Sequence, residues 1–318
     1  MPVFSQGTRE ARYRVTNWRE YNESLVRRGD ITFWFAEDVI DAWEHDNAEW
    51  KVGRPYVYSD LAIETLLTLR ELFRLPYRQT EGLGRSLAAL MGASIAIPDF
   101  TSLQKRAAKM QVQIRIAPAE RQSIHVVVDG SGLKVYGEGE WKVRWHRLER
   151  RREWRKLHLA VDPQTQEIVA QVLTSSHRAD ATQVEPLLNQ IEQPVEKLYA
   201  DGGYDHWNVY QALAQRQIAP VIALRKNARL RQHGNCATRL PRDENLRQIR
   251  RWGPRGWKRR VGYHRRSLVE TAFWRLKRSF GETLKNRRLD NQQTEAALRC
   301  KLLNHFAHLG LPKFTWAS

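Results

Sequence analysis

Ile124-His125-Val126-Val127-Val128-Asp129-Gly130-Ser131-Gly132 is the stretch on which the fold turns. Its apolar, β-branched run is too short for a helix and too continuous for a half-exposed strand. It predicts a buried strand that ends at Asp129 and feeds a glycine turn. Outward from it, residues 154–161 and 167–173 read as two more strands, joined by the turn Asp162-Pro163-Gln164-Thr165. A helix is expected over 180–191, then a strand over 195–200 that ends at Asp201 and is again followed by glycines, Gly202 and Gly203. A helix over 206–216 and a strand over 220–224 complete the series. Three strands in meander followed by helix, strand, helix and strand make an α/β domain with a mixed sheet.

Upstream the period is helical. Ser59 and Asp60 offer cap chemistry to Leu61, Ile63, Leu66, Leu67, Leu69, Leu72 and Phe73, and Leu75-Pro76 stops that helix. A second helix is expected over 80–91, ended by Gly92, and a third over 101–109 with Thr101 and Ser102 as caps. Three short helices with tight breaks suit a helix-turn-helix module, and suit a plain helical bundle equally well. Downstream, 267–279 and 294–309 carry helical spacing. The expected organisation is a helical region over 1–118 and an α/β domain over 119–318, with 225–262 as a short basic insertion.

The 318 residues are 42 % hydrophobic, enough for a core of ordinary size, which excludes disorder of the whole chain. Two cysteines, Cys236 and Cys300, exclude a disulfide scaffold and a zinc ribbon. No run approaches the roughly 18 apolar residues of a membrane span, and the N-terminal stretch has no apolar signal-like segment. The expectation is a cytoplasmic, nucleoid-associated protein.

The formal net charge is +18, and its location says more than its size. Residues 225–266 hold fifteen Lys/Arg against two Asp/Glu, and residues 141–156 hold eight against two. These two tracts account for the whole excess. Both contain tryptophans: Trp141, Trp145 and Trp154 in one, Trp252 and Trp257 in the other. Basic tracts with interleaved aromatics fit phosphate contact plus base stacking, so nucleic acid is the expected partner. A membrane surface is disfavoured because neither tract has a hydrophobic face large enough to insert.

Asp129 and Asp201 are alike in setting, since each follows an apolar strand and precedes glycine. Strand-end carboxylates of an α/β sheet face the ligand crevice, although Asp before Gly is also ordinary turn chemistry. Tyr263, Arg266, Glu270 and Lys277 follow one another at offsets 3, 7 and 14 from the tyrosine. At about 100° per residue all four fall within an arc of about 60°. This is either a phosphate-reading stripe or a solvated face with ion pairs. Three separated carboxylates suit a pair of hard cations for phosphodiester chemistry. His125, His158 and His177 lie in no metal-binding spacing and read as structural.

The chain resembles a bacterial insertion-sequence DDE transposase of the insertion-sequence-5 type. The resemblance rests on Val126-Val127-Val128-Asp129-Gly130, on Tyr199-Ala200-Asp201-Gly202-Gly203-Tyr204-Asp205, on the ungapped Tyr-x2-Arg-x3-Glu-x6-Lys signature from Tyr263 to Lys277, and on the segment from Leu75 to Leu83. It implies an RNase H-like catalytic domain in which Asp129, Asp201 and Glu270 are catalytic and bind two Mg²⁺ (or Mn²⁺). It also implies that Tyr263, Arg266 and Lys277 hold the phosphates of the transposon end.

In the basic insertion, Trp252 or Trp257 is expected on a distorted end base, or else as a hydrophobic anchor, and Arg259 and Arg260 on the DNA. The implied partners are double-stranded DNA, as terminal inverted repeats and as target, and a second copy of the chain in the synaptic complex. A nuclease or resolvase on the same fold, and a catalytically silent DNA-binding descendant, are the alternatives.

Overall fold

In the computed structural model, residues 13–47, 53, 55–114, 122–135, 154–225, 227–232 and 240–316 are described. The tract around Trp141 and Trp145 lies outside these residues, as does Cys236. A short strand β1 (Tyr13–Val15) precedes α1 (Trp18–Arg27), α2 (Ile31–Trp34), α3 (Glu37–Asp41), α4 (Asp60–Leu72), α5 (Tyr77–Leu90) and α6 (Phe100–Ala107). Strands β2 (Ile124–Val135), β3 (Trp154–Val161) and β4 (Ile168–Ser175) follow, then α7 (Val184–Leu188), β5 (Val195–Ala200), α8 (Trp207–Gln215) and β6 (Ala219–Ile222). The chain continues through α9 (Pro241–Val261), α10 (Ser267–Phe280), β7 (Thr283–Leu284), α11 (Leu289–Leu309) and β8 (Phe314–Trp316).

The sheet order is β4-β3-β2-β5-β6, with β7 added to the far end of β2. β2, β3 and β4 form the expected antiparallel meander, and β5 and β6 run parallel to β2. This mixed sheet flanked by helices is the α/β arrangement expected from the element order, and it fits the RNase H-like fold that the resemblance implies. Successive residues of β2 feed opposite faces. Val126 and Val128 pack with Val184, Leu187, Val209 and Leu213 from α7 and α8. Val127 and Leu133 pack with Val269 and Leu276 of α10 and with Leu302 and Phe306 of α11.

One expectation about β2 is corrected. The strand does not end at Asp129 in a glycine turn; it continues as twelve residues to Val135. Gly130 and Gly132 are instead required by close neighbours. A Cβ on Gly130 would lie 2.6 Å from Asp180 Oδ1, and one on Gly132 would lie 3.2 Å from the Trp154 ring. Glycine within a strand here marks close approach rather than reversal.

The N-terminal helices are built into the same core. Leu66, Leu69 and Leu103 belong to one hydrophobic cluster with Val127, Leu159 and Leu302. Burying a leucine in such a cluster stabilises by about 1.5–3 kcal/mol. Polar links reinforce the packing: Asn291 Nδ2 donates to the Gln104 carbonyl at 2.9 Å, and Thr294 Oγ1 to the Ala107 carbonyl at 2.6 Å. Arg299 pairs with Glu71 and Glu295, all three nearly without solvent contact.

Ser59 caps α4 as expected, accepting from the Ala62 N–H at 3.0 Å. α6 starts one residue early because Asp99, not Thr101 or Ser102, is its cap and accepts both of their N–H groups. The helix expected over 180–191 is a 3₁₀ turn, Asp180–Gln183, followed by the single short α7.

Residues 241–261 of the basic insertion are helical. α9 spans 21 residues as two helical segments that meet at a kink at Gly253, whose non-helical φ of 68° suits only glycine without strain, just before Pro254. Among the described residues no helix is long and apolar enough to cross a membrane.

Candidate active site

The parallel register of β2 and β5 sets the two aspartates side by side. Val127 is opposite Tyr199, so two residues further along each chain are Asp129 and Asp201, on the face covered by α10. Asp129 is half-buried; its Oδ1 accepts the Gly130 N–H at 2.8 Å, and its Oδ2 lies 3.4 Å from Arg266 Nη1. Asp201 closes the turn Gly202–Tyr204, its Oδ1 accepting the Gly203 N–H at 2.8 Å. The same Arg266 guanidinium donates through Nη2 to Glu270 Oε1 one turn along α10. Asp129 and Asp201 are therefore neighbours, and Arg266 joins Asp129 to Glu270.

The electrostatics follow this crowding. Burial pushes the Asp129 carboxyl above its ordinary range, and the Asp201 and Glu270 charges add to it against the Gly130 N–H and Arg266. Burial also raises the Tyr263 phenol; Asp201, Asp129 and Glu270 push the same way, while Arg266 opposes them. The Tyr204 hydroxyl is pushed far up by burial and then by Asp129, Asp180 and Asp201. It is buried with no hydrogen-bond partner among the described residues. Both tyrosines stay protonated near neutral pH and can donate, not accept, a proton.

The donor set is all carboxylate, which is what hard divalent cations prefer. The mutual repulsion of the three acids is what a cation between them would relieve. Among the described residues, however, no three His, Cys, Asp or Glu side chains converge around one point as a finished metal cage; Arg266 stands between Asp129 and Glu270.

α9 is fixed beside these residues by a buried fork. Arg242 donates to both Asp205 oxygens, at 2.7 and 3.2 Å, and Asp205 lies just past the turn that carries Asp201. Asp243 in turn accepts the Arg231 and Gln232 N–H groups. Around α9 and the 3₁₀ turn Tyr263–Arg266 lies an open groove of about 300 Å³, lined by Lys258, Arg259, Tyr263, His264, Arg266 and Ser267.

Two family models, each described as transposase DDE domain, match this chain, one over residues 120–304 and the other over residues 26–138. The first covers more than half of the sequence. The chain belongs to the transposase DDE family.

Within this transposase, the signature residues do not lie on one continuous α-helix. Tyr263 and Arg266 sit in a 3₁₀ turn, and α10 begins only at Ser267. Tyr263 is nonetheless buried, 9 % exposed, while Glu270 stays on the surface. Lys277 is half-buried two turns beyond Glu270, and among the described residues no hydrogen bond or ion pair joins it to the carboxylates.

Trp257 is corrected as a base contact. It is 1 % exposed, with its ring 5.5 Å from that of Tyr263, and acts as the anchor of α9 against the site. Trp252 remains partly exposed beneath the Arg260 guanidinium at 4.6 Å, and Arg259 and Arg260 are both exposed.

Sequence reading missed two features. Trp274, 66 % exposed, stands on α10 one turn beyond Glu270. Beneath Asp129, His158, Lys156 and Asp180 form a polar cluster. The available signal was an Asp before a helix and a Lys-x-His pair in a strand, neither of which identifies chemistry by itself. His125 is held by Glu196 at 3.2 Å and Arg265 at 3.1 Å.

Proposed function

We propose that this transposase binds the terminal inverted repeats of its insertion sequence, hydrolyses the 3′ strand at each end and joins it to target DNA. The observation that carries the reading is the β2–β5 register, which sets Asp129 beside Asp201 with Glu270 tied to Asp129 through Arg266. Asp129, Asp201 and Glu270 would hold two Mg²⁺ or Mn²⁺ ions. When bound, such a pair polarises the phosphate, promotes deprotonation of the attacking water or 3′-hydroxyl, and stabilises the leaving oxygen.

The other roles belong to the chain's own groups. Arg266 balances the carboxylates and is placed to bind a phosphate oxygen. Tyr263, kept protonated, donates its O–H to phosphate and is not a nucleophile. Lys258, Arg259 and Arg260 draw the DNA backbone into the groove, Trp252 offers an aromatic face to a base, and Lys277 serves as a more distant phosphate contact. Residues 1–118 would supply end recognition and 119–318 the chemistry, with two copies of the chain synapsing two ends.

The test uses a duplex that carries the inverted repeat flanking the coding region, with Mg²⁺ or Mn²⁺. The reading expects nicks leaving a free 3′-hydroxyl and no covalent protein–DNA species. A stalled covalent adduct, or cleavage insensitive to chelation of divalent ions, would contradict it.

A further inference from the structure

The glycine after Asp129 is pressed from below by a charged cluster on the opposite face of the sheet. Asp180, the first residue of the 3₁₀ turn after β4, lies against the Gly130 backbone so closely that a Cβ there would be 2.6 Å from its Oδ1 and 3.2 Å from His158 Nδ1. The carboxylate is not free to swing away. Lys156 Nζ holds it at 3.0 Å, and His158 Nδ1 stands 3.3 Å from it. His158 is wholly buried, and its Nε2 lies 2.9 Å from Thr174 Oγ1 on β4. Register explains the arrangement: Gly130 is opposite His158 and Gly132 opposite Lys156, so both β3 side chains project on the Gly130 face.

On the other side of the same backbone, the Gly130 N–H donates to Asp129 Oδ1. The orientation of this one peptide therefore fixes the Asp129 carboxylate above it and is itself fixed by the Asp180 carboxylate below. Thr174, His158, Asp180 and Gly130 form a chain of contacts across three strands that ends at Asp129.

The geometry points to Asp180 as a positioning residue for Asp129, acting through Gly130 and held in place by Lys156 and His158. This inference rests on the reading of Asp129 as a site carboxylate. Supporting groups of this kind commonly change metal affinity or activity by about 10- to 100-fold when removed, without touching the reacting atoms. The simpler possibility, that Asp180 only fastens its 3₁₀ turn to the sheet, makes a different prediction about where its loss is felt.

The experiment compares Asp180→Asn, Lys156→Gln, Gly130→Ala and Asp129→Asn in the full chain. Each is measured for thermal unfolding without divalent ions, for binding to end DNA, and for single-turnover cleavage in Mg²⁺. The positioning role expects Asp180→Asn to slow cleavage by about 10- to 100-fold, with end binding and unfolding temperature near those of the parent. Lys156→Gln should act in the same direction, more weakly, and serves in place of Asp180→Asn if that variant does not fold.

A double-mutant cycle tests whether Gly130 and Asp180 act through their contact. Gly130→Ala should slow cleavage less in an Asp180→Ala background than in the parent, because the new methyl then has room. Parent-like cleavage by Asp180→Asn and Lys156→Gln, with Asp129→Asn inactive, would overturn the inference and leave the site reading intact. Rate losses that only track losses of unfolding temperature, or strictly additive effects in the cycle, would also overturn it. Parent-like cleavage by Asp129→Asn would remove the site reading itself.

Discussion

Replacing Trp257 by alanine separates an anchor from a base contact. Truncating a buried tryptophan costs about 3–5 kcal/mol through lost transfer energy and the cavity left behind. The buried Trp257 Nε1 has no hydrogen-bond partner among the described residues, so the substitution also removes a desolvated donor, which offsets about 1 kcal/mol. The expected loss is about 2–4 kcal/mol. With about 2.1 cal/mol/K of unfolding entropy per residue, a chain of 318 residues loses about 1.5 °C per kcal/mol. Trp257→Ala should therefore lower the midpoint by about 3–6 °C.

The change should also loosen Tyr263, whose ring packs on Trp257, and so weaken end binding indirectly. Trp252→Ala, at a partly exposed position, should cost less than about 1 kcal/mol of stability yet weaken DNA binding directly. Calorimetry and an end-binding titration on both variants decide the matter. A Trp257→Ala protein that melts with the parent but has lost DNA binding would refute the anchor assignment.

Other perturbations test separate parts of the account. Asp205→Asn removes one of the two carboxylates paired with the buried Arg242, Asp243 remaining at 3.3 Å, and should destabilise by about 1–3 kcal/mol, measured by denaturant unfolding. Asp99→Ala removes the α6 cap and should cost about 1 kcal/mol. Because the Asp99 carboxyl is held below its ordinary range by Thr101 and Ser102, that difference should be present at neutral pH and vanish as acid protonates the cap. Asp129 has the opposite sign: its raised carboxyl contributes stability at acid pH that is lost as pH rises through its folded value. Asp129→Asn should therefore melt higher than the parent at neutral pH without divalent ions, and no higher below the ordinary carboxylate range. On duplex DNA, log K against log salt should be steep, and Arg259→Ala and Arg260→Ala should each flatten the slope by about 0.9.

The strand order was legible because its signals are local and strong. Apolar-rich runs bounded by Asp162-Pro163 and Asp201-Gly202 mark β3, β4 and β5 to within two residues. β2 was cut short because glycine after aspartate reads as a turn, whereas the packing of Asp180 and Trp154 against that backbone depends on residues tens of positions away. α9 is hidden by Gly253-Pro254, which breaks the helical pattern in sequence and, through the non-helical backbone of Gly253, divides α9 into two segments in space. The proximity of Asp129 and Asp201 could be guessed from their matching contexts. The burial of Tyr263 could not, because it depends on packing against Trp257 of α9, which leaves no mark in the spacing of the signature. The Asp180 cluster was invisible for the same reason as β2, since its members meet only through strand register.

The most direct test of the three-carboxylate site is single-turnover cleavage of a labelled inverted-repeat duplex by Glu270→Gln in Mg²⁺, with end binding measured on the same preparation. Glu270 is largely on the surface, so the variant should fold and bind the end as the parent does. The account predicts no strand cleavage from this bound complex. Cleavage at the parent rate would contradict it.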